Sequence, residues 1–229
     1  MKKIGILGGM SPESTAHYYL NITREYTKQF GDYCFPEIVI YSVLFQEHID
    51  FIKNDDWSSV VESLRNPIKC LENAGVDFIC LATNTTHFIL DKLKEFTDVP
   101  FISIVESTVE EIKKEKCKNV GLLGTAFTMK SDLYKKPLLQ NHINVIVPSA
   151  EDQKFIHRSI FMEFANHQFK DTTKKRFLSI IGDLVDKGSE GIILGCTEIP
   201  LIIENKMVEI PLFDTLKIHS LKALKEALI

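Results

Sequence analysis

The chain lacks the patterns of the common metal, nucleotide and disulfide sites. Its five cysteines include no C-x-x-C pair and have no histidine-rich neighbour, so neither a zinc site nor a disulfide framework is indicated. Its glycines form neither G-x-G-x-x-G nor G-x-x-x-x-G-K, which argues against a phosphate-binding loop. We therefore predict no metal site and reduced thiols, as is usual in a cytoplasmic protein.

A membrane span, a basic patch and a flexible linker are also missing. No apolar run approaches the roughly 18 residues of a membrane helix, and the short apolar run after Lys3 is broken by glycine, unlike a signal peptide. A net charge of −4 gives no reason to expect a nucleic acid partner. With 45% hydrophobic and 25% charged residues, the composition is that of an ordinary globular protein.

Two segments of the chain share one pattern. The run Gly75-Val-Asp-Phe-Ile-Cys-Leu-Ala-Thr83 aligns without a gap with Gly188-Ser-Glu-Gly-Ile-Ile-Leu-Gly-Cys196. Each is an apolar run that ends in a small residue and then a polar one, as expected where a buried parallel strand reaches its carboxyl end. Ligands of open α/β sheets bind at that edge. Thr83 and Cys196 are therefore candidate site residues at equivalent positions.

Two further matches extend the repeat over most of the chain. Gly5-Ile-Leu-Gly8 is echoed by Gly121-Leu-Leu-Gly124, and Val99-Pro100 is echoed by Ile210-Pro211. The distance from the first glycine to the paired polar residue is 78 in one half (83 − 5) and 75 in the other (196 − 121). A repeat of this length indicates a duplicated domain, because solenoid repeats are about 20–50 residues long.

Strand and helix patterns alternate along the chain. Continuous apolar runs predict strands, and helical spacing with cap residues, such as Ser11 before Pro12, predicts helices. The predicted strands are 3–7, 37–43, 76–82, 100–104, 119–123, 143–147, 190–195 and 209–213. The predicted helices run from 12 to about 30, then over 57–73, 86–96, 106–116, 127–140, 152–166, 171–187 and 216–228, and residues 46–55 are predicted as a loop. This alternation predicts an α/β fold with two similar doubly wound, Rossmann-like parallel-sheet lobes.

A thiol and a hydroxyl at paired strand ends suggest proton transfer at both faces of one carbon. A cysteine thiolate can abstract a proton because its reference pKa is only about 8.5. Cys196 precedes a predicted turn into a helix, where backbone N–H groups favour an anion and, with Thr197, could hold a substrate carboxylate. Thr83 is a weaker acid, suited to donating a proton to a carbanion and poor as an abstracting base.

Less specific interpretations exist for the same residues. A lone buried cysteine is usually a small hydrophobic residue, and a threonine before Asn-Thr-Thr often caps a helix. The repeat favours the catalytic interpretation for both Thr83 and Cys196. His17 and His87 lie on predicted helix faces, where we expect structural or solvated side chains.

Four motifs give the chain a family resemblance over essentially its whole length. They are Gly8-Gly9-Met10-Ser11-Pro12-Glu13-Ser14-Thr15, Thr83-Asn84-Thr85-Thr86-His87, Leu123-Gly124-Thr125 and Gly195-Cys196-Thr197-Glu198-Ile199. Together they resemble the aspartate/glutamate racemase family. The resemblance implies a cofactor-independent amino-acid racemase with two α/β lobes related by a pseudo-twofold, the substrate in the cleft between them, and commonly a homodimer.

The resemblance also assigns roles to residues. The family's two catalytic positions fall on Thr83 and Cys196, and threonine at the first resembles a subgroup that acts mainly on L-aspartate and L-glutamate. The substrate-binding positions that map onto this chain are Met10, Ser11, Asn84, Thr85, Thr125, Thr197 and Glu198. The return of the last helix to the first lobe is implied in the same way, which gives lobes of 1–104 plus 213–229 and of 105–212.

The chain departs from the family pattern at the substrate's side chain. Archaeal aspartate racemases use a basic residue in the loop after the second strand and a lysine in a later helix. Here the loop reads Phe45-Gln46-Glu47-His48 and the helix position is Ala165. The prediction is a racemase of a small acidic amino acid. The alternatives are a related maleate isomerase or decarboxylase, or a two-lobed amino-acid-binding protein without turnover.

Overall fold

A computed structural model describes residues 1–229. The chain forms two compact units. The first comprises Met1–Ile104 and Leu216–Ile229, and the second comprises Val105–Thr215. Each unit contains a four-stranded sheet in which every strand pair is parallel.

Eight strands and ten α-helices alternate along the chain. The strands are β1 (Ile4–Gly8), β2 (Ile38–Ser42), β3 (Phe78–Leu81), β4 (Phe101–Ile102), β5 (Asn119–Gly124), β6 (Asn144–Ile146), β7 (Gly191–Gly195) and β8 (Leu212–Asp214). The helices are α1 (Pro12–Phe30), α2 (Phe45–Lys53), α3 (Trp57–Asn73), α4 (Leu90–Leu93), α5 (Ile104–Lys114), α6 (Ala126–Lys130), α7 (Asp132–Gln140), α8 (Ala150–Met162), α9 (Asp171–Asp186) and α10 (Thr215–Ala227).

The sheet of the first unit is covered by helices on both faces. Its strand order is β2-β1-β3-β4. Successive side chains of a strand point to opposite faces, so Ile4 and Ile6 pack with α1 and α10 on one face, while Leu7 packs with α3 on the other. Phe78 and Leu81 of β3 divide between the same two faces. Burial on both faces explains why these strands read as continuous apolar runs.

The second unit repeats the topology of the first. Its strand order is β6-β5-β7-β8, so β7 occupies the position that β3 holds in the first unit. Gly121 leaves room for the side chains of Ile192 and Leu184. A Cβ at this position would lie 2.5 Å from Ile192 Cδ1 and 3.0 Å from Leu184 Cδ1. The predicted α/β class with two similar parallel-sheet lobes is confirmed.

The strand register carries the same repeat. In the first unit Gly5 pairs with Ile79 and Leu7 pairs with Leu81. In the second unit the corresponding pairs are Gly121 with Ile192 and Leu123 with Leu194. The gapless alignment of the two segments is therefore reproduced residue by residue within the two sheets. Thr83 lies two positions after Leu81, and Cys196 lies two positions after Leu194.

The predicted loop over 46–55 is wrong, because residues Phe45–Lys53 form helix α2. Phe45, His48 and Ile52 are spaced at intervals of three and four, as on one face of a helix. The charged residues between them make this spacing hard to recognise. Phe45 and Ile52 pack against the core of the first unit, and His48 is buried. A buried histidine in the stripe obscured the apolar period.

Two predicted helices are interrupted. The helix over 127–140 divides at Ser131, whose extended backbone ends α6 and whose hydroxyl accepts from Leu133 N at the start of α7. The helix over 86–96 consists of a 3-10 helix, Thr85–Ile89, the short α4, and a second 3-10 helix, Lys94–Phe96. Hydrophobic spacing alone does not distinguish these tighter turns from an α-helix. Among all the helices, none combines the length and the apolar character needed to cross a membrane.

Candidate active site

Thr83 lies just beyond the carboxyl end of β3 and is 9% exposed. Its N–H donates to Leu81 O at 2.9 Å. Asn84 holds the N-cap position of the following 3-10 helix, with no side-chain cap bond, so the helix-cap interpretation of Thr83 is not supported. The Thr83 hydroxyl has no protein partner, in contrast to its carbonyl. An unengaged hydroxyl at a strand end is available to a ligand.

His87 hydrogen-bonds to the carbonyl of Thr83. The N–H of Ile104 donates to His87 Nε2 at 3.0 Å, which requires that nitrogen to be unprotonated. The proton therefore lies on Nδ1, which donates to Thr83 O at 2.6 Å. Burial lowers the pKa of His87 to about 4, so the ring is neutral at physiological pH. His87 thus orients Thr83 through its backbone.

A second buried histidine supports the first. His219 Nε2 donates to Ile102 O at 2.9 Å, and its Nδ1 accepts from the Tyr18 hydroxyl at 2.6 Å. Its ring meets that of His87 edge-on, with the ring centroids 5.7 Å apart. Burial lowers the pKa of His219 to about 3, and neutral His219 keeps the tautomer that these two bonds require. The two rings therefore form a polar layer that hydrogen-bonds to Thr83, just after β3, and to Ile102 of β4.

The turn between β1 and α1 is held by close backbone contacts. Gly9 has φ +88, and a Cβ there would lie 2.5 Å from Val43 N, so only glycine fits. The N–H of Gly9 donates to Thr15 Oγ1 at 2.8 Å, and that hydroxyl donates to Ser11 O at 2.9 Å. The turn therefore presents Met10 and Ser11 at the same sheet edge as Thr83.

Met10 is buried and belongs to a chain of polar contacts with the β3 loop. The Thr86 hydroxyl donates to Met10 Sδ at 3.7 Å, because a thioether can only accept. The same hydroxyl then accepts from His48 Nε2 at 2.9 Å, which fixes the proton of His48 on that nitrogen. Burial lowers the pKa of His48 to about 4. His48 is therefore neutral at physiological pH and supplies no positive charge to this part of the unit.

Ser11 and Thr125 hold equivalent positions in the two units. Ser11 is the N-cap of α1 and accepts from Ser14 N at 3.4 Å, as its position before Pro12 predicts. Thr125 is the N-cap of α6 and accepts from Thr128 N at 3.2 Å. Each cap hydroxyl also meets the hydroxyl three residues later, at 3.2 Å and 3.0 Å respectively. Both strand-to-helix turns therefore present hydroxyls beside helix N-termini.

Cys196 follows β7 directly and is 8% exposed. Its thiol donates to Glu198 Oε2 at 3.0 Å, and the Thr197 hydroxyl donates to the same oxygen at 2.9 Å. Burial, and then the charge of Glu198, raises the pKa of the Cys196 thiol well above its usual range. The thiol is protonated at rest and is paired with a carboxylate that can accept its proton.

The local structure corrects one expectation about Cys196. Backbone N–H groups of Thr197 and Glu198 do lower the thiol pKa, but burial and the Glu198 carboxylate outweigh them. The helix that follows is a 3-10 helix of three residues, Ile199–Leu201, and not an α-helix. Cys80 shows the contrast, since it is 0% exposed within the apolar core of β3 and makes no comparable polar contact. Cys196 is therefore not an ordinary core cysteine.

Sequence reasoning missed two histidines near these residues and the hydrogen bond of a third group, which it had assigned to substrate binding. His48 reaches Thr86, and His157 Nδ1 accepts from Ala126 N at 3.2 Å beside the Thr125 cap. Both histidines stand on helices that follow the second strand of their unit, and neither position carries a local motif. The third is the Glu198 carboxylate. Its position two residues after Cys196 was visible in the sequence, but its bond to the thiol was not.

Comparison with known proteins identifies the family. The model of the Asp/Glu/hydantoin racemase family matches residues 7–223. The chain belongs to this family. The predicted enzyme class, an amino-acid racemase, is confirmed at this level.

Individual relatives align with nearly the whole length of this chain. The broad specificity amino-acid racemase of Bacillus subtilis is 30% identical over 93% of this chain and 92% of its own length. The structure of an aspartate racemase homologue from Pyrococcus horikoshii OT3 is 38% identical, covers 100% of both chains and superposes with a TM-score of 0.88. Picrophilus torridus aspartate racemase is 28% identical, with a TM-score of 0.81 over 99% of this chain and 94% of that one.

Proposed function

We propose that this protein racemises an acidic amino acid, L-aspartate or L-glutamate, by proton transfer at Cα. Cys196 is the base for the L enantiomer, and Thr83 donates a proton to the opposite face. The observation that carries the proposal is the thiol–carboxylate pair of Cys196 and Glu198, 3.0 Å apart, at the strand end equivalent to that of Thr83. All groups in this proposal are side chains of the chain itself.

The first proposed step moves two protons. The Cα–H bond breaks and its proton passes to Cys196 Sγ, while the proton on sulfur moves to Glu198 Oε2. This coupling is needed because the burial and adjacent charge that raise the pKa of Cys196 disfavour a free thiolate. Glu198, assigned to substrate binding by family resemblance, is on this proposal the group that makes Cys196 basic. Thr197, bonded to the same oxygen, holds the carboxylate toward the thiol.

The second proposed step delivers a proton from Thr83. Its hydroxyl proton forms the new Cα–H bond on the opposite face, and the alkoxide that remains takes a proton from water. The proton left on Glu198 returns to solvent, which resets the site. No side-chain base hydrogen-bonds to the Thr83 hydroxyl, whereas the thiol of Cys196 is bonded to Glu198. We therefore expect kcat to be higher in the direction in which Cys196 abstracts, with compensating KM values, because the two enantiomers have equal free energy.

The substrate's α-carboxylate is proposed to bind at the strand-to-helix turns. Ser11 and Thr125 cap helices there, and helix N-termini favour anions. Asn84, Thr85 and Thr197 are proposed to complete the polar contacts, and buried Met10 is proposed to shape the apolar wall. The homodimer and the cytoplasmic location stay predictions.

A second candidate substrate class is neutral amino acids. The observation that favours it is the neutral, buried His48, which leaves the substrate's side-chain carboxylate without the cation expected from helix α2. The Bacillus subtilis relative is named for broad specificity. Parallel assays with L-aspartate, L-glutamate, L-alanine and L-methionine decide between the two classes, because an acidic-substrate enzyme should turn over the first pair at least roughly tenfold faster.

Exchange in D2O tests the proposed function. The protein is incubated with each L-amino acid, then deuterium at Cα is measured by NMR and the enantiomers are separated by chiral chromatography. We expect deuterium at Cα together with the D enantiomer, and loss of both in Cys196→Ala. Undiminished exchange in that variant would contradict the assignment of the base.

The same experiment separates the rival functions. An amino-acid-binding protein would be stabilised by its ligand without any exchange at Cα. A maleate isomerase or decarboxylase would leave the amino acids unexchanged and convert maleate or a malonate instead. Either result would overturn the racemase proposal.

A further inference from the structure

Three buried hydroxyl groups connect helices α5 and α7 to the strand that leads to Cys196. The Tyr134 hydroxyl hydrogen-bonds to the side chains of Thr108 and Thr215, and all three residues are 0% exposed. The Thr215 hydroxyl bonds Leu194 O at 2.9 Å, and Cys196 follows Leu194 by two positions. All of these residues lie within the second unit. We refer to Thr108, Tyr134 and Thr215 as the hydroxyl chain.

The hydrogen bonds of the hydroxyl chain run in one direction. A carbonyl oxygen only accepts, so Thr215 gives its single hydroxyl proton to Leu194 O. Towards Tyr134 the Thr215 oxygen can then only accept, and the phenol donates to it. Burial raises the pKa of Tyr134, which keeps the donated proton on the phenol at neutral pH. Hydrogen bonds in such a chain strengthen one another, so loss of the phenol should weaken the bond to Leu194 O.

The hydroxyl chain ends where the regular pairing of β7 with β8 stops. The last residue pair between these two strands is Leu194 with Asp214. Thr215 comes next and begins helix α10. Its bond to the Leu194 carbonyl therefore holds the β8 side of β7 at the end of the ladder, two residues before Cys196.

The counterpart of Thr215 in the first unit also supports a strand end. Pro100 and Pro211 are paired in the internal repeat, and Ile104 and Thr215 each lie four positions later (104 − 100 and 215 − 211). Both residues begin a helix, α5 in the first case and α10 in the second. In the first unit the N–H of Ile104 donates to His87 Nε2.

The second unit has no histidine for this purpose. In the first unit His87 donates to the carbonyl of Thr83. Since Thr83 aligns with Cys196, the counterpart of His87, four positions later, is Pro200. Proline has no N–H and its ring carries no donor, so the bond that His87 makes is impossible there. The hydroxyl chain, with Tyr134 at its centre, supports the equivalent strand end instead.

We propose that Tyr134 is a positioning residue that holds Cys196 in place for proton transfer, acting through Thr215. Its effect on catalysis rests on the proposed function, because it requires Cys196 to be the base. A small displacement of a catalytic group is enough to slow a reaction substantially. The placement of the thiol can also be measured without any substrate, from the rate at which it is alkylated.

Tyr134→Phe tests the proposal by removing the phenol oxygen and keeping the ring. We expect kcat for the L enantiomer to fall about tenfold, because the base is misplaced. KM should stay within about threefold, because the residues proposed to bind the substrate keep their side chains. Alkylation of Cys196 by iodoacetamide should become at least about threefold faster, because a looser strand end reduces the burial that raises the pKa of the thiol.

Variants of Thr215 show whether the effect passes through the hydroxyl chain. Thr215→Val removes the bond to Leu194 O and should match Tyr134→Phe in both measurements, whereas Thr215→Ser keeps the hydroxyl and should stay within about twofold of the wild type. The double variant Tyr134→Phe/Thr215→Val should be no slower than the slower single variant, because both changes break one chain. Losses that multiply in the double variant would show independent effects and overturn the proposal.

Tyr18→Phe is the matched control. Tyr18 is also fully buried, and its hydroxyl bonds His219 in the first unit. This variant should lower the unfolding temperature as Tyr134→Phe does, with Cys196 alkylated at the wild-type rate. Equal acceleration of alkylation in the two variants, or none in Tyr134→Phe, would contradict the positioning role. If the wild type racemised no amino acid while alkylation followed the prediction, the proposed function would fail and the placement of Cys196 by Tyr134 would stand.

Discussion

Replacing Glu198 by glutamine should slow catalysis and speed alkylation of Cys196. The substitution keeps the size of the side chain and a hydrogen-bond acceptor for the thiol, but it removes the negative charge and the proton acceptor. In the wild type the two groups are 3.0 Å apart. Two charges at that distance repel by about 5 kcal/mol at an effective dielectric constant of about 20. That repulsion explains why Glu198 helps to raise the pKa of Cys196.

The substitution should lower kcat and raise the rate of Cys196 alkylation. Loss of a general base typically costs about 10²–10⁴-fold in rate, so kcat for the L enantiomer at neutral pH should fall within that range and recover as the pH rises. Without the neighbouring charge, Cys196 ionises more readily. Alkylation should then be roughly tenfold faster, because the larger thiolate fraction outweighs the lower nucleophilicity of a thiolate of lower pKa.

The assay measures both quantities on the same preparations. Racemisation is followed by chiral chromatography, and iodoacetamide labelling of the Cys196 peptide is followed by mass spectrometry at pH 8. Thr197→Val is the control for the labelling alone, since it removes the second donor to Glu198 and keeps the carboxylate that raises the pKa of Cys196. If Glu198→Gln retained the wild-type kcat, or labelled more slowly than the wild type, the proposed role of Glu198 would be refuted.

Two further predictions concern the buried histidines. His87→Asn and His219→Asn should destabilise the first unit by comparable amounts, about 2–4 kcal/mol in thermal or urea unfolding. Only His87→Asn should lower kcat, because only His87 bonds Thr83; equal kcat losses would contradict its positioning role. The pKa values of His48, His87 and His219 fall from 6.5 to about 4, 4 and 3. Their contribution to stability is therefore full above pH 6.5 and is lost as the pH falls toward 4. Urea titrations between these pH limits should show the free energy of unfolding falling by up to about 4 kcal/mol per pH unit. In His48→Asn this slope should be smaller by about a third. A free energy of unfolding that did not change with pH would show that these rings are not held neutral.

The fold was largely readable from the sequence because both units bury their sheets on two faces. Continuous apolar runs such as Ile4–Gly8 and Gly191–Gly195 mark the inner strands. The outer strands β4, β6 and β8 have only two or three residues each, whereas the outer strand β2 has five. Helix α2 was missed because its inward stripe contains His48, a residue that a hydrophobicity count treats as polar.

The site was readable only in part. The internal repeat singled out Thr83 and Cys196 as candidates, and the strand register confirms that each follows the equivalent central strand of its sheet. The cap of Ser11 was predicted from its place before Pro12. The partners of these residues were not, because they depend on side-chain direction. The thiol of Cys196 does meet the backbone N–H groups of Thr197 and Glu198, as expected, but it also donates to a Glu198 oxygen that accepts from the Thr197 hydroxyl as well.

The central claim is that Cys196 and Thr83 serve opposite faces of the same Cα. The most direct test is Thr83→Val, incubated with the L substrate in D2O. With its base intact and no donor on the other face, this variant should place deuterium at Cα of the L enantiomer and form almost no D enantiomer. Formation of the D enantiomer at the wild-type rate would contradict the claim.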